Sequence, residues 1–402
     1  MRHDLEGQQR VDFNKLKQCF NSERLKNLLF ALTDIHSPTG NAGEACKFLV
    51  THLQQHGIDA KFLPIGEHSG AGLARIQGNG NGANLLLYAP IDTHLEGDES
   101  DYPWTGKAPT VDTVPKAVTH DDWVYGLGSS NPKAMVATLA EILICAKESG
   151  CDWPGTLSLG FADGGMPVDV NQRQNAGISN GVFHLLNRGA SPDFCIVMKP
   201  WNWVYHEEPG MAWFKITVWG TLGYAGVPRG TPGFRSSIVP AAEVILALEE
   251  WLPKYTERNT SGVVRPDGWI SAVRGGWPER PAFPSAATEI YFDVRVNPRS
   301  TPAQVRAEFS DFMKQLQESR PDIHCEWEMY GSAPGGSTDP NNWIIQSARR
   351  GWEEIEGRPY PEAPDLLGGQ TDGSLLRALG IPTARIGWPW PAEGSPLPVA
   401  EG

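Results

Sequence analysis

Between residues 211 and 330 the hydrophobic pattern of this chain changes its period, and no other feature constrains the fold as much. Upstream, apolar residues come as short unbroken runs, LLLYAP at 85–90, TLSLGFA at 156–162 and FCIVM at 194–198, each closed by polar residues. Runs of that length read as strands buried on both faces of a sheet. Helical stretches separate them. GEACKFLVTHLQQHG places Ala45, Phe48, Leu49 and Leu53 on one face and stops at Gly57, and KAMVATLAEILICAKESG is apolar over most of its surface. This alternation predicts an α/β sheet with helices on both sides, and ligands of such sheets bind at the carboxyl ends of the strands.

Inside 211–330 the rule becomes strict alternation. Phe214, Ile216 and Val218 share one strand face, as do Ile290, Phe292, Val294 and Val296, and later Ile323, Cys325, Trp327 and Met329. A helix at 240–255 carries Val244, Ile245, Leu248, Trp251 and Leu252 as its apolar stripe. Thr301-Pro302-Ala303-Gln304 is a capping box that opens a second helix bearing Val305, Phe309, Phe312, Met313 and Leu316. With the strand WISAVRGG the order is β-α-β-β-α-β, that of a ferredoxin-like α+β domain. After it the α/β character returns. The predicted architecture is one discontinuous α/β domain, 1–210 and 331–402, with an inserted domain at 211–330.

Charge narrows the partners. A formal net charge of -13 disfavours nucleic acid and anionic membrane as partners, since both require a basic face. The six cysteines show no paired spacing, which predicts free thiols in a reducing compartment. The first twenty residues hold no apolar signal core, so the expected location is cytoplasmic.

Five segments then occur in a telling order: SPTGNAGE, LLLYAPIDTH, YGLGSSNPKAMVAT, GTLGYAGVP and GGQTDGSLLRALGIPTARIG. Together they resemble the metallopeptidase family of aminoacylases, acetylornithine deacetylase, succinyl-diaminopimelate desuccinylase and carboxypeptidase G, from about Ser37 to Trp388. The resemblance implies a catalytic-type α/β domain with a lid/dimerisation insert, a homodimer formed through that lid, and a small amide or amino-acid-like substrate. It also implies further chain after Gly402. In that family two zinc ions, held by His and carboxylate ligands, lower the pKa of a bridging water that attacks the amide.

Carried over residue by residue, that centre is missing its ligands. The first His falls on Pro90, the bridging Asp on Asn131, the general-base Glu and its neighbouring ligand on Gly164 and Gly165, and the next acidic ligand on Lys199. The lid His falls on Tyr224, and no His follows Trp390. Zinc needs about three or four N, S or carboxylate donors at roughly 2.0–2.3 Å, so no cofactor is expected at the ancestral site, and zinc only if ligands are relocated.

The residues left there are the candidates. Asp92 and Asp163 end strands and read either as catalytic carboxylates or as turn-building ones. Lys199 reads as a catalytic amine, a carboxylate-binding cation or a surface lysine, and Tyr224 as a hydroxyl donor to substrate or as lid packing. Asn131, His94 and His206 are candidate substrate contacts. The run His94, Glu96, Asp98, Glu99, Asp101, with His120, Asp121, or His206, Glu207 and Glu208, reads as a solvated loop or as relocated metal ligands. Asp372 reads as the cap of a late helix. Three functions follow: a rewired enzyme acting on a small amide or amino-acid-like molecule without the two-zinc centre, a non-catalytic pseudoenzyme that binds a ligand or partner subunit, and a metal-dependent amidohydrolase with moved ligands.

Overall fold

The structure, a computed structural model, describes residues 7–106, 109–169, 173, 177–361, 368–388 and 395–397. The described chain divides into two compact units. One comprises 7–206, 338–361 and 371–388 with the short 395–397 segment, the other 207–337 with 368–370.

The first unit is built on a six-stranded sheet in the order Asp59–Ile65, Ser69–Ile76, Leu157–Ala162, Leu85–Pro90, Phe194–Met198, Thr383–Ile386. The last four strands run parallel, and the first two are an antiparallel extension. Apolar side chains on both faces explain the unbroken runs. Leu87, Ala89, Leu159 and Phe161 pack against the helices Ser22–Thr33, Gly43–Gln55 and Lys133–Glu148. Leu86, Tyr88 and Ala162 pack against Asn180–Asn187 and Asp372–Ala378. The chain leaves Leu85–Pro90 for a strand on one side and then returns to a strand on the other. The direction of winding therefore reverses beside Leu85–Pro90, where parallel sheets open a crevice at their carboxyl ends.

The second unit is a four-stranded antiparallel sheet in the order Gly268–Gly275, Ala287–Val296, Gly210–Trp219, Cys325–Ala333, with the helices Ile238–Asn259 and Pro302–Ser319 on one face. Numbered by sequence this order is 2-3-1-4, the ferredoxin-like arrangement. The alternating residues fill its core: Phe214 stacks on Phe309 with ring centres 4.2 Å apart, and Trp251 meets Phe292 edge-on. The Thr301–Gln304 capping box forms as its sequence predicts. The helix predicted at 240–255 extends over Ile238–Asn259, with Pro253 inside it. A short ribbon, Glu207–Glu208 against Gly336–Ser337, closes this unit just outside the span given by the alternating pattern. Glu207 is buried there and bound to Arg299 at 2.6 Å and to the Val263 amide at 2.6 Å.

Candidate functional site

Three adjacent parallel strands end in Asp163, Asp92 and Lys199, in that order across the sheet. Each end is buried. Asp92 and Asp163 are fully so, and Lys199 is 6% exposed.

Asp163 has a definite task. Its Oδ1 accepts from the Gly40 amide at 2.8 Å and its Oδ2 from the Ala42 amide at 2.9 Å. Ala42 is the N-cap of the Gly43–Gln55 helix and brings no side-chain cap of its own. The carboxylate therefore caps that helix from another strand, where the unbonded amides and the helix dipole both favour negative charge. Asp92 holds a different piece of backbone. Its oxygens accept from Thr39 Oγ1 at 2.7 Å, the Gly165 amide at 3.1 Å and the Met166 amide at 3.2 Å. Burial raises both acids, Asp163 to about 7, where the Asp92 charge adds to the effect and the amide bonds oppose it.

The positions that resemble metal ligands have paired with one another. Lys199 Nζ donates to Asn131 Oδ1 at 3.0 Å and approaches Met166 Sδ at 3.8 Å. Pro90 and Gly165 fit together sterically: a Cβ on Gly165 would lie 2.4 Å from Pro90 Cβ and 2.8 Å from Asp372 Oδ2. No side chain larger than hydrogen fits at 165 while Pro90 and Asp372 stay where they are. Gly164, at φ +83°, sits in the left-handed region that favours glycine.

Asp372 completes the cluster, and it is not the helix cap expected from the sequence. Thr371 is the cap, accepting from the Gly373 amide, and Asp372 is the first helical residue. It is fully buried, and its oxygens make no well-formed hydrogen bond among the described residues, the Ser179 and Tyr88 hydroxyls standing close but poorly aligned. Burial pushes it up to about 7; Ser179, the Lys199 ammonium and the Tyr88 hydroxyl lie close enough to favour its charged form without bringing it back to the ordinary range. Tyr88 Oη is likewise buried and unbonded among the described residues. Around this cluster Ser179 and Trp201 take φ of +64° and +84°, strained for residues with a side chain. Lys133 was not singled out by sequence either: it is fully buried, donates to the Ile35 carbonyl at 2.8 Å, and burial lowers its pKa to about 7. Its signal was a lysine at the start of an otherwise apolar helix.

His94 is on an exposed loop. His206 is half-buried, and its carbonyl accepts from the Thr338 amide at 2.7 Å. Tyr224, in the second unit, is 59% exposed and its ring faces Phe283. The acidic run builds its own loop: Asp101 accepts from the Glu96 and Gly97 amides, Asp98 from Ser100, and Glu96 pairs with Arg173 at 2.6 Å. Among the described residues no group of three or more His, Cys, Asp or Glu is arranged to hold a metal ion.

No family model matches the chain. Solved structures do. The chain is similar to a tripeptidase from Staphylococcus aureus at 18% identity (TM-score 0.66, covering 92% of this chain and 90% of that one). It is similar to the di-peptidase Dug1p from Saccharomyces cerevisiae at 14% identity (TM-score 0.70, 96% and 92%). It is also similar to the M20 family metallo-carboxypeptidase Sso-CP2 from Sulfolobus solfataricus at 13% (TM-score 0.65, 92% of each). The fold is that of the M20 metallopeptidases and amidohydrolases, sheet domain and inserted domain together.

That fold implies zinc at the strand ends, and the residues present do not fit it. Asp92 and Asp163 spend their oxygens on backbone amides and a threonine. The remaining positions offer a proline, an amide, a glycine that admits no Cβ, and an ammonium group. A cationic side chain cannot ligate a dication. No helix among the described residues is long and apolar enough to cross a membrane.

Proposed function

We propose that this chain binds a small amide- or amino-acid-like molecule on the M20 scaffold and does so without a two-zinc centre. The observation behind the proposal is the pairing of the former ligand positions, Asn131 with Lys199 and Pro90 with Gly165. A site that had merely decayed would leave holes or unmatched groups at these places. Here one substitution answers another within each pair, and the strand ends carry a built-in cation, Lys199. The similarity to a tripeptidase and a di-peptidase supports a peptide-like ligand class. The burial of every remaining acid favours binding over hydrolysis, because a general base must reach the proton it removes.

The test is a thermal-shift screen of the purified chain against dipeptides and N-acyl amino acids, run beside zinc, manganese and cobalt. A ligand should raise the melting temperature by mass action, and no metal should bind at the strand ends. Two zinc ions per chain that are lost on Asp92→Asn, together with hydrolysis of any of these amides, would overturn the reading.

A further inference from the structure

At the opposite end of the six-stranded sheet from Asp92, the starts of two parallel strands meet the end of an antiparallel one around a small hollow. The register sets Arg75 of Ser69–Ile76 beside Ser158 of Leu157–Ala162, and Ser158 beside Leu86 of Leu85–Pro90. Alternation, carried one residue past each strand, brings Gln77, Thr156 and Asn84 to the same face. The loop after the Asn180–Asn187 helix adds a further wall with Ser191, and the whole encloses about 180 Å³. The polar groups that line it are hydrogen-bond donors with nothing to give to. Arg75 is opposite Asp59 in register, yet it donates to the Gly189 carbonyl instead, which turns the guanidinium into the hollow. Its other N–H groups reach no acceptor among the described residues. Asn84 Oδ1 accepts from the Thr156 amide at 3.0 Å, so its NH₂ is the group left to offer. The hydroxyls of Thr156, Ser158 and Ser191 bond to no described residue. No described carboxylate lines the hollow, and Asp193 beside it is held by the Asn84 amide at 2.8 Å.

We propose that this hollow binds a small tetrahedral oxyanion, phosphate or sulfate, as the free ion or as the end of a larger molecule. A guanidinium presents paired N–H groups to two oxygens of such an ion, and charge-assisted bonds of this kind are the strong ones. The hydroxyls and the Asn84 amide come from other walls than Arg75, so they suit oxygens that point in several directions. A planar carboxylate offers two oxygens in one plane and would leave most of these donors unused. Size sets the upper limit, because pockets for whole organic ligands start at about 300 Å³. Charge sets the location. With a net charge of -13 the chain as a whole repels anions, so an anion that binds must be held by local donors. The site is separate from the strand ends where Lys199 stands, and it does not depend on the reading given above for them.

Titration calorimetry of the full chain in chloride buffer at fixed ionic strength tests the site, with inorganic phosphate, sulfate, glycerol phosphate and acetate as probes. Phosphate and sulfate should saturate a single site, and acetate should bind far more weakly. Glycerol phosphate that binds as well as phosphate identifies an ester terminus as the ligand, and phosphate alone identifies the free ion. Arg75→Gln should weaken phosphate by about tenfold or more, and Arg75→Lys should also weaken it, because an ammonium cannot span two oxygens. Ser158→Ala, on the neighbouring strand, should cost about threefold or more. It decides the matter if loss of the bond to Gly189 keeps the Arg75 variants from folding. Absence of saturable phosphate binding overturns the proposal, as does equal binding in the wild type and the folded variants, which marks an adventitious ion only. Phosphate that survives these substitutions and is lost on Lys199→Met would also overturn it, by placing the anion at the strand ends. The two readings therefore fail separately.

Discussion

The core of the inserted unit and the strand ends of the sheet unit are equally dry, yet they are held by opposite chemistry. Around Phe214, Trp251, Phe292 and Phe309 the titratable members of the core are Tyr255 and Cys325, both held in their neutral forms by burial, and stability comes from apolar area and ring contacts. At the strand ends three aspartates and a lysine are buried together, and stability depends on which of them is charged. The comparison teaches that burial alone does not predict how a region answers to mutation or pH. An apolar core should lose stability by a fixed amount at any pH. A polar core should lose or gain according to protonation.

Phe309→Ala should have the largest effect. It removes a fully buried ring that touches Phe214, Trp251 and Trp327, at a cost of about 4 kcal/mol. Urea unfolding at pH 5.5 and pH 8 should return the same loss; a clear difference would break the contrast drawn here. Lys199→Met comes next. It keeps the length of the side chain and removes the cation that favours the charged forms of Asp92 and Asp372. At pH 8, where Asp372 tends to ionise, the loss should be about 3 kcal/mol, as for a buried charge left without its partner. At pH 5.5, with Asp372 largely neutral, it should shrink. A pH-independent loss would mean that Lys199 acts only by filling space.

Much of this was legible before the structure. The unbroken runs located the strand ends, so Asp92, Asp163 and Lys199 could be placed on one edge from position alone. What the acids do there was not legible, because the amides they cap belong to Gly40, Ala42, Gly165 and Met166, which no pattern links to them. The match between Pro90 and Gly165 is a steric one, in which a Cβ at 165 would lie 2.4 Å from Pro90 Cβ, and it leaves no trace in sequence. Asp372 was misread for a simpler reason. Thr371 and Asp372 are both good caps, and only backbone geometry shows that Thr371 takes the role, leaving the carboxylate inside.

Within the polar core the sharpest contrast lies between Asp163 and Asp372, both raised to about 7. A carboxylate whose pKa is higher folded than unfolded adds stability that is complete below its unfolded value, near 3.8, and is lost as pH rises through 7. Both acids should therefore make the native chain less stable at pH 8 than at pH 5. Their neutral isosteres should part company. Asp163→Asn turns an NH₂ toward one of two amides that need an acceptor, so it should destabilise by about 2 kcal/mol at pH 5.5, where the charge matters least.

Asp372→Asn should have the smallest effect and the opposite sign. Among the described residues no backbone amide is bonded to Asp372, and the burial that raises it outweighs the help of Ser179, Lys199 and Tyr88, so the substitution removes a net cost of burying charge. It should stabilise by about 1 kcal/mol at pH 8, leave pH 5.5 nearly unchanged, and flatten the fall in melting temperature between them. A loss of stability at pH 8 would show that the ionised carboxylate is wanted there as the counter-charge of Lys199. The cluster would then be a single ion pair with two accessory acids, not a polar core in which one member is unsatisfied.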